Sequence, residues 1–223
     1  MLKSFRRKRA LRRHPGLDPL RQVADGHPEA TPLHDDLFLA VAQTVDLRID
    51  EREEAQRVIS DFLWRDLPAA RADLKALASY TSLTLHDVAR LGIRGIAAKM
   101  VEQGADLSAI ERQSALQLLE GLAGEEDYGL RMSVAETLAS LLQEPSLQEA
   151  VLDIAIVQAG DENYYVSEAA LHAIEGLPGA ATALQRLMQA GSPAARIRVP
   201  RTILELAKER PGAVTAELMD SAA

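Results

Sequence analysis

From about residue 35 onward, apolar residues recur at three- and four-residue spacing in stretches separated by short polar breaks. That is the period of an amphipathic helix. Residues 36–47 carry Leu37, Leu39, Ala40, Val41 and Val45. A second helix is predicted over about 51–65, opening on the capping-box-like Asp50-Glu51-Arg52-Glu53 and aligning Ala55, Val58, Ile59 and Phe62. Pro68 begins a third, with Leu74, Leu77 and Ala78 on one face. Thr84-Leu85-His86-Asp87 starts a fourth that runs to about Met100. Ser108-Ala109-Ile110-Glu111 caps a fifth carrying Ala115, Leu118, Leu119 and Leu122, and a sixth covers about 129–142. No stretch alternates with period two, so no strand is predicted and the expected class is all-α.

The C-terminal third adds a longer period. Pro145, Pro178 and Pro211 stand 33 residues apart, and Pro178-Gly179-Ala180-Ala181-Thr182-Ala183 is nearly repeated as Pro211-Gly212-Ala213-Val214-Thr215-Ala216. Proline suits the first turn of a helix, where its missing N–H has no partner to lose. Gln158-Ala159-Gly160 and Gln189-Ala190-Gly191 each place a glycine where a helix is expected to end in a left-handed cap. Each unit reads as helix, glycine turn, helix, then proline and the next unit, the signature of stacked repeats.

The stretch from Gly160 through Asp161, Glu162, Asn163, Tyr164, Tyr165, Val166, Ser167, Glu168, Ala169, Ala170, Leu171, His172 and Ala173 to Ile174 resembles the second half of a HEAT repeat. Such repeats set an acidic turn before a helix bearing Val, paired Ala and a large aliphatic. Gly124-Glu125-Glu126-Asp127-Tyr128, followed by Leu130, Val134, Ala135, Leu138 and Leu141, looks like a degenerate copy 36 residues earlier. The resemblance covers about 106–220 and the N-terminal half loosely. It implies a right-handed α-solenoid of about five stacked helical hairpins, a single domain over 34–223. A minor alternative is one ankyrin-like stretch, about 83–112. There Leu85-His86-Asp87-Val88-Ala89-Arg90-Leu91-Gly92 and Glu102-Gln103-Gly104-Ala105-Asp106 resemble a single repeat, with Thr31-Pro32-Leu33-His34 echoing the same family.

Charge separates the start of the chain from the rest. The 223 residues hold 25 Lys and Arg against 33 Asp and Glu, a formal net charge of -8. Yet Lys3, Arg6, Arg7, Lys8, Arg9, Arg12 and Arg13 fall within the first 13 residues, which contain no acid. Residues beyond this arm are therefore seven charges more negative than the whole. An acidic body repels nucleic acid, so the arm is the part suited to an anionic membrane or to phosphates. Residues 14–33 hold Pro15, Gly16, Pro19, Gly26, Pro28 and Pro32, a linker composition. Residues 1–33 are thus expected to be a flexible basic arm and linker. No run approaches a membrane-spanning length, and Leu11-Arg12-Arg13-His14 interrupts any secretory apolar core, so a cytoplasmic location is expected. With no cysteine, disulfides, thiolate zinc sites and Cys nucleophiles are excluded.

Motifs for chemistry are sparse. The five histidines are His14, His27, His34, His86 and His172. His34-Asp35 and His86-Asp87 stand 52 residues apart with no further His-Asp pair, and capping of helix starts explains them better than a metal site does. Asp161-Glu162-Asn163 and Glu125-Glu126-Asp127 are too short for a calcium loop and suit N-caps. Gly92-Ile93-Arg94-Gly95 lacks the residues of a phosphate loop. No cofactor and no metal are expected. What remains is the second-helix face of the stack, a common binding surface of such arrays. Its candidates are Arg131, Tyr164, Tyr165, Glu168, His172, Arg196, Arg198 and Arg201, with Ile197 and Leu204 expected on the opposite side of the last helix. Pro200 is expected to kink that helix. The reading is a non-enzymatic adaptor for a protein with a basic or mixed-charge patch. The family resemblance also admits enzymes, alkylpurine DNA glycosylases and phycobilin lyases. The glycosylases depend on a basic groove that this acidic body lacks. A third alternative is an adaptor tethered by its arm.

Overall fold

The structure is a computed structural model that describes residues 56–210 apart from 58, 62 and 79–82, together with 212, 214 and 219. The basic arm, the linker, the helix expected over 36–47, the start at Asp50 and the third periodic proline, Pro211, lie outside the described residues. Residues 56–57, 59–61 and 63–64 are helical. The helices that follow are α1 (Leu67–Ala78), α2 (Leu83–Gln103), α3 (Ala109–Ala123), α4 (Tyr128–Leu142), α5 (Gln148–Ala159), α6 (Tyr164–Glu175), α7 (Ala180–Ala190) and α8 (Pro193–Glu209), with a short 3-10 turn at Gly104–Asp106. No strand occurs among the described residues. The protein is all-α.

The helices gather into two compact units. The described residues up to Lys99 together with Ala109–Leu122 form one, and Met100–Ser108 together with the described residues from Ala123 onward form the other. In the first unit Ile59, Leu63, Leu74, Ile93 and Ile96 are fully buried or nearly so, as are Leu118, Leu119 and Leu122 of α3. Gly92 and Gly95 belong to the packing here. A Cβ on Gly92 would lie 2.8 Å from Leu63 Cδ1, and one on Gly95 would lie 2.6 Å from Ser60 Cβ. The pair lets the segment carrying Gln56, Ile59, Ser60 and Leu63 press against α2, which is a structural reason for two glycines three residues apart inside a helix. Lys99 reaches across to Asp61 at 2.9 Å and lies over the Trp64 ring at 5.2 Å. α2, Leu83–Gln103, covers the helix expected from Thr84 to about Met100.

In the second unit α6 packs against α4, α5, α7 and α8, while α4 also meets α5, α5 meets α7, and α7 meets α8. Leu130, Val134, Leu138 and Leu141 of α4 and Val166, Ala170 and Ile174 of α6, aligned by the 36-residue offset, are all buried. Caps start the helices at the expected residues. Asp127 accepts from the Leu130 amide at 3.0 Å, and Asn163 accepts from the Tyr165 and Val166 amides. A further cap, not singled out in the sequence, is Ser192, which accepts from the Ala195 amide ahead of Pro193.

Two expectations about breakers are corrected. Pro145 and Pro178 precede the first turns of α5 and α7. Each occupies the second position of a tight turn, closed by Leu147 N–H donating to the Glu144 carbonyl and Ala180 N–H donating to the Leu177 carbonyl. Proline's fixed φ is suited to that position. Gly160 and Gly191 do not adopt left-handed conformations; their φ values are -90° and -71°. They are small for reasons of space. A Cβ on Gly160 would stand 2.9 Å from Ser192 Oγ, and one on Gly191 would run into the Leu187 carbonyl oxygen, with Ala195 Cβ also at 3.0 Å. Positive φ occurs instead at Gly104, 46°. α8 continues through Pro200 to Glu209.

Candidate functional site

Side chains in the second unit join points about one repeat apart. Ser192 Oγ donates to the Gly160 carbonyl at 2.9 Å, and Arg186 meets Asp153, 33 residues earlier, at 3.2 Å. Arg210 donates to the Leu177 carbonyl, again 33 residues away. α6 packs directly against α8, held at one end by Arg198 donating to the Asp161 and Glu162 carbonyls and at the other by Arg210 donating to Leu177, and a groove lies between them.

The groove has a volume of about 280 Å³. From α6 it is lined by Tyr164, Glu168, Leu171, His172 and Glu175, and from α8 by Ile197, Arg198, Arg201, Thr202 and Glu205. Leu171 and Thr202 are buried and form the floor; Tyr164, Ile197 and Arg201 are exposed on the walls. The spacing along each helix, at three, four and seven residues, is what puts these side chains in one row. The two helices run the same way along it. Arg198 lies over the Tyr164 ring at 5.7 Å near both N-terminal ends, and Glu205 and Glu209 act on Glu175 near both C-terminal ends.

Most of the charges are tied locally. Arg198 donates to the carbonyls of Asp161 at 2.7 Å and Glu162 at 3.2 Å. Arg201 is paired with Glu205 at 2.9 Å, and this carboxylate holds the guanidinium's pKa up. Tyr164 donates its hydroxyl to Glu168 at 2.6 Å, which pushes the tyrosine pKa up and keeps the proton in place. Glu175, half-buried, meets the exposed His172 ring at 3.4 Å. Desolvation raises the Glu175 pKa, and Glu205 and Glu209 add to this while His172 opposes it.

Five of the eight residues proposed from sequence, Tyr164, Glu168, His172, Arg198 and Arg201, therefore converge. Tyr165 is 65% exposed and packs edge-on against Tyr164, with ring centroids 5.6 Å apart. Arg196 is exposed and donates back to the Gly191 carbonyl. Arg131 serves as a structural clasp. Its guanidinium engages Asp161 at 2.7 and 3.2 Å and donates to the carbonyls of Glu125 and Glu126, while its own carbonyl accepts from buried Gln158. Leu171, Glu175, Thr202 and Glu205 belong to the groove without having been singled out in the sequence. Ile197 was expected on the side of the helix opposite Arg198 and Arg201. It is instead 79% exposed and lines the same groove. The helical row starting at Tyr164 was available as a signal for Glu175; nothing local marks Thr202.

No group of three His, Asp or Glu residues is placed to hold a metal ion among the described residues. Nor is any helix among them long and apolar enough to cross a membrane. No protein-family model, curated protein or solved structure matches this chain.

Proposed function

We propose that this protein is a non-enzymatic adaptor whose C-terminal helices stack in HEAT-like hairpins and receive a protein partner in the groove between α6 and α8. The observation that carries the reading is the exposed apolar wall of that groove. Ile197 at 79% and Tyr164 at 46% exposure stand over a buried floor, an arrangement that gives a partner side chain apolar area to cover. Two further features support it. The neighbour pattern, with α6 touching both α4 and α8 and α5 touching α7, is one that successive hairpins laid side by side would produce. Exposed aromatics also recur at equivalent helix starts, Tyr128 on α4 and Tyr164 on α6. Such rows are where helical arrays bind their partners.

The test is site-specific photo-cross-linking in the native cell. A benzoylphenylalanine at position 197 is expected to trap a discrete protein adduct. The same probe at Val157 on α5, itself 68% exposed, is expected to trap none of it. Identical adducts at both positions would remove the groove from the proposal.

A further inference from the structure

The groove is chemically polarised along its length. Its N-terminal end offers Tyr164 and Ile197, with Arg198 folded over the ring and committed to two carbonyls. Arg201 is neutralised by Glu205. The carboxylates of α6 have weaker company: Glu168 takes the Tyr164 hydroxyl and feels Arg201 only at a distance, since Glu205 already pairs that guanidinium, and Glu175 meets an imidazole. Both helices also end on this side, α6 at Glu175 and α8 at Glu209. Their terminal carbonyls add negative potential that favours a cation.

We infer that, given a docking groove between α6 and α8, its occupant is a cationic segment of a partner protein, with an apolar side chain on Ile197 and Tyr164 and Lys or Arg side chains on Glu168 and Glu175. Three features fit together in this assignment. The groove's own cations are already engaged, so the charges left to an incoming chain are acidic. The apolar wall lies at one end, which fixes the direction in which the segment enters. Glu168 and Glu175 are seven residues apart on one helix, about 10 Å along its axis, and this matches cations two helical turns apart on the partner. An acidic segment would instead set carboxylates against Glu168 and Glu175 and gain little from guanidiniums that already have partners.

The experiment uses the full chain and two synthetic amphipathic peptides of about 14 residues, four helical turns. One is built from Leu and Lys, the other carries Glu at each Lys position, and binding is followed by fluorescence anisotropy at low and at physiological salt. The Lys peptide is expected to bind more tightly and to weaken as salt rises. Glu168→Gln and Glu175→Gln are each expected to raise its Kd about two- to fivefold, the range of partly exposed ion pairs. Glu149→Gln, on α5, is expected to leave it unchanged. Tighter binding of the Glu peptide, or equal losses from all three Gln variants, would overturn the cationic assignment. Ile197→Ser separates the two levels. If it weakens whichever peptide binds, the groove stands as a docking site even where the cationic assignment fails. If it weakens neither, both fall.

Discussion

Burial removes water from the Glu175 carboxylate, and Glu205 and Glu209 add repulsion that the His172 imidazole only partly offsets. The folded protein therefore holds the Glu175 proton more tightly than the unfolded chain does. In the window between the ordinary carboxylate value of about 4.3 and the raised one, the folded state binds more protons, so this group's contribution to stability declines as pH rises through that window. Glu175→Gln removes the charge at little change in shape. Calorimetry is expected to show a higher Tm for the variant at pH 7 and no difference near pH 4. A lower Tm at pH 7 would mean that the His172 contact outweighs desolvation. A residue that costs stability and is also expected to meet the partner is what a binding site that trades stability for function looks like.

Caps and close approaches set the elements. Asn163 accepts two amides at the start of α6, so Asn163→Ala is expected to cost about 1 kcal/mol in urea unfolding, the usual value of an N-cap. The same change would loosen the wall that carries Tyr164. Gly95 poses the opposite problem. Alanine has a better helix propensity by about 1 kcal/mol, but its Cβ would meet Ser60 Cβ at 2.6 Å, where no flexible side chain can yield. Gly95→Ala is therefore expected to lose about 1–2 kcal/mol net, because overpacking exceeds the propensity gain. A stabilised variant would show that Ser60 and its neighbours shift away from α2 at small cost.

For the molecule as a whole, charge is the measurable property. The chain's isoelectric point is near 5.2, and residues 1–13 hold seven of its 25 Lys and Arg residues. Deleting them is expected to lower the isoelectric point and shift the solubility minimum with it, as isoelectric focusing and light scattering would show. The same truncation tests the tethering alternative. If the arm is a membrane tether, full-length protein sediments with phosphatidylserine vesicles at low salt and the truncated form does not; equal partitioning removes that role.

The sequence by itself determined the helices. Leu130, Val134, Leu138 and Leu141 recur at helical spacing, and Asp127 and Asn163 cap where their short acceptor side chains favour a start, because both rules act within one or two turns of chain. The 33-residue proline period was equally legible, although the role of the prolines was read one turn too late. Tertiary structure decided the rest. Gly160 and Gly191 were taken for left-handed caps, yet space explains them: at Gly160 the crowding comes from Ser192, 32 residues on, and at Gly191 from the Leu187 carbonyl of its own helix and from Ala195. Ile197 was expected opposite Arg198 and Arg201 and instead lines the same groove with them, since a helical period shows which residues share a face but not how far a neighbouring helix makes that face reach. Glu175 became a groove residue with a raised pKa only because α8 lies beside α6. Burial and charge proximity are properties of that arrangement, and no local pattern encodes them.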